Sequence, residues 1–344
     1  MEAWLEHIVA ALPLWLLFGA VAILILTLSK GAELLVDQAV TLSLRWGVPK
    51  MLIGATIVSL GTTLPEASVS VFAAVQGRPG LALGNAVGSI ICDTGLILGL
   101  AAVWKPLPLV RSVVTRQGWI QQGAGLAMIL GCLPFASWRN PFVYGGLFDR
   151  WIGFLFLAAL VLYLWLSIRW ARKDAQSNGP DLEPLQGRAG ATGVILRLAG
   201  GILLVIVSSW LLIPVVQQMA LRLGVPDAVI AATLVAFGTS LPELVTAMTA
   251  VRKGHGELAV GNVIGADILN VLFVTGAAAA VTAGGLQAPA SFFRLMFPAM
   301  LAVLIIFRVG IHFSGPTLRR PFGVLLLAVY AAITILSYGR WAQE

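Results

Sequence analysis

Long apolar segments separated by short polar connections make up almost the whole chain. Runs such as Leu12–Leu28, Ile152–Ile168 and Phe322–Tyr338 approach the roughly 20 residues that a helix needs to cross a bilayer. The sequence lacks the weakly alternating segments of about ten residues that are typical of a membrane barrel. The pattern therefore predicts an all-α membrane protein.

The apolar runs divide into ten predicted transmembrane helices. The predicted spans are 11–43, 50–76, 80–104, 117–136, 150–170, 191–222, 227–252, 257–281, 290–308 and 320–338. The only long polar connection lies between the fifth and sixth spans. It predicts a first five-helix repeat at residues 1–170, a linker at 171–190 and a second five-helix repeat at 191–344.

An internal duplication supports this division. When the chain is shifted by 177 residues, Gly47–Leu100 aligns with Gly224–Ala277 without a gap, and 21 of the 54 aligned pairs are identical. Two pairs of motifs coincide: GTTLPE (Gly61–Glu66) with GTSLPE (Gly238–Glu243), and GNAVGS (Gly84–Ser89) with GNVIGA (Gly261–Ala266). Because each half has an odd number of spans, the two repeats are predicted to have inverted topology.

Composition and charge agree with a membrane location. Hydrophobic residues make up 59% of the chain and charged residues only 11%, whereas soluble domains carry about 25% charged residues. The net charge of +7 does not predict nucleic-acid binding, because Lys and Arg lie between the spans and form no stripe. Cys92 and Cys132 lie in apolar segments and suggest neither a disulfide framework nor a zinc site.

The distribution of Lys and Arg predicts the orientation in the bilayer. With the N-terminus outside, the inner connections carry 15 Lys and Arg residues and the outer ones carry 6. Positive residues favour the cytoplasmic side. We therefore expect a multi-pass protein of the cell membrane with the N-terminus outside and the central linker in the cytoplasm.

The GTTLPE and GTSLPE motifs predict a break in the second and seventh spans. Proline removes a backbone hydrogen bond and its ring clashes with the preceding turn. Carbonyl oxygens before the break, including those of Ser59 and Ala236, are then expected to face a cavity. The motifs also supply hydroxyl oxygens, although such hydroxyls commonly bond their own helix instead. These are Thr62, Thr63, Thr239 and Ser240.

Acidic residues inside the spans indicate an ion path or a proton relay. Glu66 and Glu243 occupy matching positions in the two repeats, and Asp93 and Asn270 follow each of them by 27 residues. Charged residues are costly inside a membrane and usually functional there. Carboxylate, hydroxyl and carbonyl oxygens suit hard cations such as calcium and sodium. Asn270 also fits a simpler role as a hydrogen bonder between helices.

These motifs resemble those of the calcium/cation antiporter superfamily, and most closely its prokaryotic sodium/calcium exchangers. The resemblance implies ten helices in inverted repeats, with long first and sixth spans that slide. It also implies that cations bind between the second and third helices of each half. The implied central ring is Glu66, Asp93, Glu243 and Asn270. The implied further ligands are Thr62, Thr63, Ser89, Thr239, Ser240 and the carbonyls of Ser59 and Ala236.

The chain departs from the family pattern at three positions. Prokaryotic relatives usually carry Asn in the first repeat and Asp in the second, whereas here Asp93 and Asn270 are exchanged. Ala266 replaces a usual serine, which removes one hydroxyl from a sodium site. Asp267 follows it, and the duplication pairs Asp267 with Ile90.

The resemblance predicts a secondary active antiporter that exchanges calcium for sodium by alternating access. The alternative is an exchanger of protons for calcium, or for another divalent cation, on the same fold. A channel fits a duplicated closed site less well. No histidine lies in the middle of a span to support an enzyme. The expected partners are the transported ions and the lipid bilayer, without a cofactor, and the oligomeric state stays open.

Overall fold

The computed structural model describes residues 2–134, 140–177, 191–223 and 238–341, and these are predominantly helical. The helices, in chain order, are α1 (Glu2–Ala11), α2 (Leu14–Trp46), α3 (Lys50–Thr62), α4 (Leu64–Val75), α5 (Pro79–Trp104), α6 (Arg111–Gly131), α7 (Pro141–Tyr144), α8 (Arg150–Ser177), α9 (Ala191–Arg222), α10 (Leu241–Arg252), α11 (Gly256–Val281), α12 (Phe292–Phe313) and α13 (Arg320–Trp341). The short strands are β1 (Leu107–Pro108), β2 (Gly146–Phe148), β3 (Leu286–Ala288) and β4 (Thr317–Leu318).

The prediction of a helical membrane protein is confirmed. Within the described ranges, six helices are long and apolar enough to cross a bilayer, namely α2, α5, α8, α9, α11 and α12. The pair α3 and α4, bent by 43°, makes a seventh. Helix α6 carries two arginines and three glutamines, and the apolar part of α13 is short. Part of the predicted seventh span, 227–237, lies outside the described residues. The count of ten spans stays a prediction.

Helices α5 and α11 form the centre of the bundle. In the most apolar stretch of each, 78% and 89% of the residues are buried, whereas the corresponding stretch of α2 is only 17% buried. Helix α2 packs mainly against α9, and its outer face exposes apolar side chains such as Ile23 and Leu26. Exposed apolar faces of this size suit contact with lipid chains.

The duplication is visible in local structure. Shifting α4 (Leu64–Val75) by 177 residues gives the bounds of α10 (Leu241–Arg252). Both central helices contain a π-helical turn near the same place, at Ile91–Ile97 in α5 and at Asn270–Thr275 in α11. The two halves of the sequence therefore fold the matching motifs in the same way.

The four strands form two antiparallel pairs, each joining one half of the chain to the other. Leu107 of β1 pairs with Leu318 of β4, and Phe148 of β2 pairs with Leu286 of β3. Strands β1 and β3 lead into α6 and α12, whereas β2 and β4 lead into α8 and α13. Each pair thus joins a strand that precedes α6 or α12 to a strand that precedes α8 or α13, and the two strands come from different halves of the chain.

A small charged cluster surrounds the connection between α10 and α11. Lys50 Nζ lies 3.1 Å from Glu257 Oε1 and 3.1 Å from His255 Nδ1. Partial burial, and then the positive charge of Lys50, lower the pKa of His255 below its ordinary value. The start of α3 is therefore held at the start of α11 by an ion pair and a neutral imidazole at pH 7.

Glycine brings the backbones of α3 and α11 together. A Cβ atom at Gly265 would overlap the carbonyl oxygen of Ala55 and lie 2.5 Å from Ser59 Oγ. The GNVIGA motif therefore allows α11 to approach α3 closely.

Gly265 should respond to alanine differently from an exposed helical glycine. We expect Gly265→Ala to lower the free energy of unfolding by about 1–3 kcal/mol, because the backbone of Ala55 has to move to admit a methyl group. Gly123→Ala, at an exposed position of α6, should be neutral or stabilise the protein by up to about 1 kcal/mol, because alanine favours a helix. Thermal unfolding of the purified variants in detergent measures both. Equal losses at the two positions would contradict the difference in packing.

Candidate cation site

The two glutamates of the repeated motifs lie at the starts of two helices. Helix α4 begins at Leu64 and α10 at Leu241, so that Glu66 and Glu243 both fall in a first helical turn. Proline is tolerated at this end of a helix, and the helix dipole favours a negative charge there. Both carboxyl groups are completely buried. The broken helix thus carries an acid into the interior at a helix N-terminus.

Each glutamate contacts a hydroxyl from the break of the other repeat. Thr63 Oγ1 donates a hydrogen bond of 3.4 Å to Glu243 Oε1, and Ser240 Oγ donates one of 3.5 Å to Glu66 Oε1. The shift of 177 residues pairs Thr63 with Ser240 and Glu66 with Glu243, so the two bonds are equivalent. The structure therefore brings these four predicted site residues together at the interface of the two halves.

A second pair of bonds joins the breaks to the GNAVGS and GNVIGA motifs. Thr62 Oγ1 donates to Asn262 Oδ1 at 3.4 Å, and Thr239 Oγ1 donates to Asn85 Oδ1 at 3.3 Å. The sequence predicted both threonines as site residues but missed the two asparagines. Their identical place in the two motifs was the signal that could have revealed them.

The two asparagines differ in the rest of their hydrogen bonding. Asn85 Nδ2 donates to the carbonyl oxygen of Glu66 at 3.3 Å and to Ser70 Oγ at 3.0 Å. Asn262 Nδ2 has no partner among the described residues; Ala247 stands where the first repeat has Ser70 and so removes one of the two acceptors. Asn85 therefore holds α4 against α5 more firmly than Asn262 holds the matching helices.

The π-helical turns carry the other two predicted ring residues. Asp93 lies in the π turn of α5, and Asn270 begins the π turn of α11. Both side chains are completely buried, and none of their polar atoms has a hydrogen-bond partner in the described part of the chain. Ser89 Oγ is likewise buried without a partner there. Single π turns often occur at functional sites.

The site concentrates three acidic side chains. Glu66, Asp93 and Glu243 lie close enough to interact electrostatically, and no ion pair formed by the described residues includes them. One oxygen of each glutamate also lacks a partner there. Burying uncompensated charge is costly, so a bound cation would offset the repulsion at this site.

Neutral oxygens lie beside the buried acids. No group of three or more His, Cys, Asp or Glu side chains within the described ranges is spaced to hold a metal ion by itself. The hydroxyl groups lie beside the acids, and all ten described site residues are buried, the most exposed being Thr239 at 7%. The arrangement thus combines acids with hydroxyl and amide oxygens, which hard cations prefer.

The carbonyl oxygen of Ser59 is not freed by the break. It accepts the backbone amide of Thr63 at 2.9 Å and a longer bond of 3.4 Å from Thr62 Oγ1. The reason is that the helix bends after Thr62, and Pro65 cannot donate to the later carbonyl of Gly61. The expectation of a free carbonyl at Ser59 is therefore corrected. Its counterpart Ala236 lies outside the described residues.

The unequal bonding of the two asparagines predicts unequal effects on stability. Asn85→Ala should lower the free energy of unfolding by about 2 kcal/mol more than Asn262→Ala, because it removes two additional buried hydrogen bonds. Thermal unfolding of the two variants in the same detergent compares them directly. The matched control is Ser70→Ala, which removes one of the two additional bonds and should therefore reproduce part of the extra loss of stability. Equal losses for both asparagines would contradict these contacts.

Comparisons with known proteins identify the family. The sodium/calcium exchanger protein family matches residues 16–169 and 193–339. The chain is 34% identical over 301 residues to the inner membrane protein YrbG of Escherichia coli K12, covering 86% of this chain and 88% of YrbG. It is 30% identical to the sodium/calcium exchanger MaX1 of Methanosarcina acetivorans, covering 90% and 95%.

A solved structure is similar over almost the entire fold. The sodium-calcium exchanger NCX_Mj, soaked without sodium and calcium, superposes with a TM-score of 0.75 at 28% sequence identity. The match covers 95% of this chain and 100% of that chain. Together with the family match over both halves, this confirms the resemblance that the repeated motifs indicated: the chain belongs to the sodium/calcium exchanger protein family.

Proposed function

We propose that this chain is an antiporter that exchanges calcium for sodium across the membrane. The observation that carries the proposal is the buried group of acids, hydroxyls and amides at the interface of the two halves, with several oxygens lacking any partner among the described residues. Relatives that cover most of the chain are named sodium/calcium exchangers. Exchange of protons for calcium is not favoured by these comparisons.

The proposed ligands are the residues that the sequence indicated. Glu66, Asp93, Glu243 and Asn270 form the central ring, and the carbonyls of Ser59 and Ala236 complete it through their second lone pairs. The hydroxyl ligands are Thr62, Thr63, Ser89, Thr239 and Ser240. Calcium takes six to eight oxygens in flexible geometry, which a ring assembled from four helices can supply.

Competition for the same acids explains why the two ions exchange. One calcium ion offsets two negative charges, and sodium ions at neighbouring oxygens offset the same charges one at a time. If Glu66 and Glu243 serve both ions, calcium and sodium cannot occupy the ring together. Exchange then follows from shared ligands and electrostatics, without a cofactor and without a chemical reaction.

Alternating access would come from movement of α2 and α9 across a fixed site. These helices pack on each other at the outside of the bundle, whereas the helices with the ring acids are buried. We further propose ten spans in inverted repeats, for which the exchange of strands between the halves gives support. The proposed orientation places the N-terminus outside and the linker in the cytoplasm.

Calcium uptake into proteoliposomes tests the proposal. Vesicles loaded with sodium should take up radioactive calcium, and vesicles with only a pH gradient should not. Glu66→Gln and Glu243→Gln should each reduce the sodium-driven uptake at least about tenfold, because either removes a charge that pairs with the ion inside the membrane.

A matched acid away from the site serves as the control. Asp149 accepts the amide of Trp151 at the start of α8, and Asn fills that position equally well, so that Asp149→Asn should transport normally. Uptake driven by the pH gradient alone would instead assign the protein to proton-coupled exchange. Uptake that survives in both glutamine variants would remove these residues from the site.

Two ion pairs between α2 and the end of α10 should control the rate. Arg252 pairs with Glu33, and Lys253 Nζ lies 2.6 Å from Asp37 Oδ1. Both pairs are partly exposed, where an ion pair contributes up to about 1 kcal/mol. If α2 moves, the double variant Glu33→Gln/Asp37→Asn should raise the turnover rate about twofold to fivefold.

Calcium affinity separates this effect from damage to the site. The dissociation constant of calcium for the double variant, measured without sodium, should stay within twofold of the original value because neither acid belongs to the ring. A high-salt buffer should raise the rate of the unaltered protein and leave the variant unchanged. A rate that does not change, or an affinity that falls together with the rate, would show that the pairs do not restrain α2.

A further inference from the structure

The fourth buried acid of the bundle is not accounted for by the duplication or by the proposed ring. Asp267 lies in the middle of α11 and is 1% exposed, and its counterpart in the first repeat is Ile90. No ion pair in the described ranges includes it. An isolated charge at this depth calls for a specific partner.

Two side chains from neighbouring helices converge on one oxygen of Asp267. Thr94 Oγ1, in the π turn of α5, donates to Asp267 Oδ2 at 2.5 Å. Gln121 Nε2, in α6, donates to the same oxygen at 2.6 Å and lies 3.4 Å from Thr94 Oγ1. Three helices therefore contribute one polar side chain each to a compact buried group.

The same three side chains keep oxygens available for a ligand. Asp267 Oδ1 and Gln121 Oε1 are buried and have no hydrogen-bond partner among the described residues. Because Gln121 Oε1 is bonded to the same carbon as the donating Nε2, it lies beside the carboxylate. The hydroxyl oxygen of Thr94 retains a lone pair after it donates. The group therefore presents a carboxylate, an amide and a hydroxyl oxygen together.

We infer that Asp267, Thr94 and Gln121 form a second cation site, which takes a monovalent alkali cation. Neutral and anionic oxygens are the ligands that hard cations choose. The single carboxylate balances one positive charge, so a divalent ion would leave an excess charge buried. The inference depends on the proposed function only in making sodium the first ion to try.

The site adjoins the proposed calcium ring. Thr94 follows Asp93 in the sequence, and Asp93 and Asp267 are near enough to interact electrostatically. A cation bound at Asp267 offsets its charge and reduces its repulsion of Asp93. Occupation of the second site would therefore strengthen cation binding at the ring. The usual serine hydroxyl is missing at Ala266, one residue before this acid, and the second site supplies oxygens from other helices instead.

Thermal unfolding of full-length variants in detergent tests for this site without a gradient. The starting protein is the double variant Glu66→Gln/Glu243→Gln, which removes two ring charges. It is melted in equal concentrations of sodium chloride, potassium chloride and choline chloride. A ligand that binds only the folded state raises the melting temperature. We expect sodium or potassium to raise it by at least about 2 °C over choline.

Two further variants locate the effect. Addition of Asp267→Asn should abolish the difference between the alkali and choline salts, and addition of Thr94→Val should at least halve it while keeping the charge. Thr41→Val is the matched control, because the Thr41 hydroxyl bonds only the carbonyl of Asp37 within the described structure. That variant should retain the full shift.

Two results would overturn the inference. One is an identical melting temperature of the double variant in the three salts. The other is an alkali shift that persists in both the Asp267→Asn and the Thr94→Val variants. Failure of sodium-driven exchange would appear only in the uptake assay, since a shift in potassium or sodium here requires no transport. The two proposals can therefore fail separately.

Discussion

Several carboxyl groups lie inside an apolar bundle, and no positive side chain among the described residues pairs with them. The free-energy cost of burying them constrains the rest of the structure. Glu66, Asp93 and Glu243 are completely buried, and the ion pairs of the described residues all lie elsewhere. Such a bundle is stable only if hydroxyls, amides and helix N-termini take part of the charge and mobile cations take the rest. The apolar composition, the broken helices and the crossed hydrogen bonds all serve this requirement.

The interface of the two repeats is where this requirement is met. Each motif supplies an acid to its own half and a hydroxyl to the acid of the other half, so that each carboxyl group is hydrogen-bonded across the interface. This crossing also makes the site sensitive to relative movement of the halves. A site shared between two bodies is well placed for ions that have to be reached from each side in turn.

The sequence predicted the membrane class, the duplication and the group of buried oxygens, because each leaves a repeated or apolar signal. It did not predict the hydrogen bonds of Asn85 and Asn262, the use of the Ser59 carbonyl, or the close contact of Gly265 with the backbone of Ala55. These depend on which residues of one half meet the other, and a shift of 177 residues cannot show that. Asp267 stood out as an unmatched acid, but its partners Thr94 and Gln121 lie on other helices.

The strand pairs have a consequence for biosynthesis. Strands β1 and β2 lie in the first half, and their partners β4 and β3 are more than 100 residues further along the chain. When the chain up to α8 has left the ribosome, β3 and β4 have not yet been made, so β1 and β2 lack their partner strands. The early half must wait in the bilayer with open edges until the late half arrives. We therefore expect the chain to mature as one unit, and a chain cut between α8 and α9 would need both pieces in the same membrane.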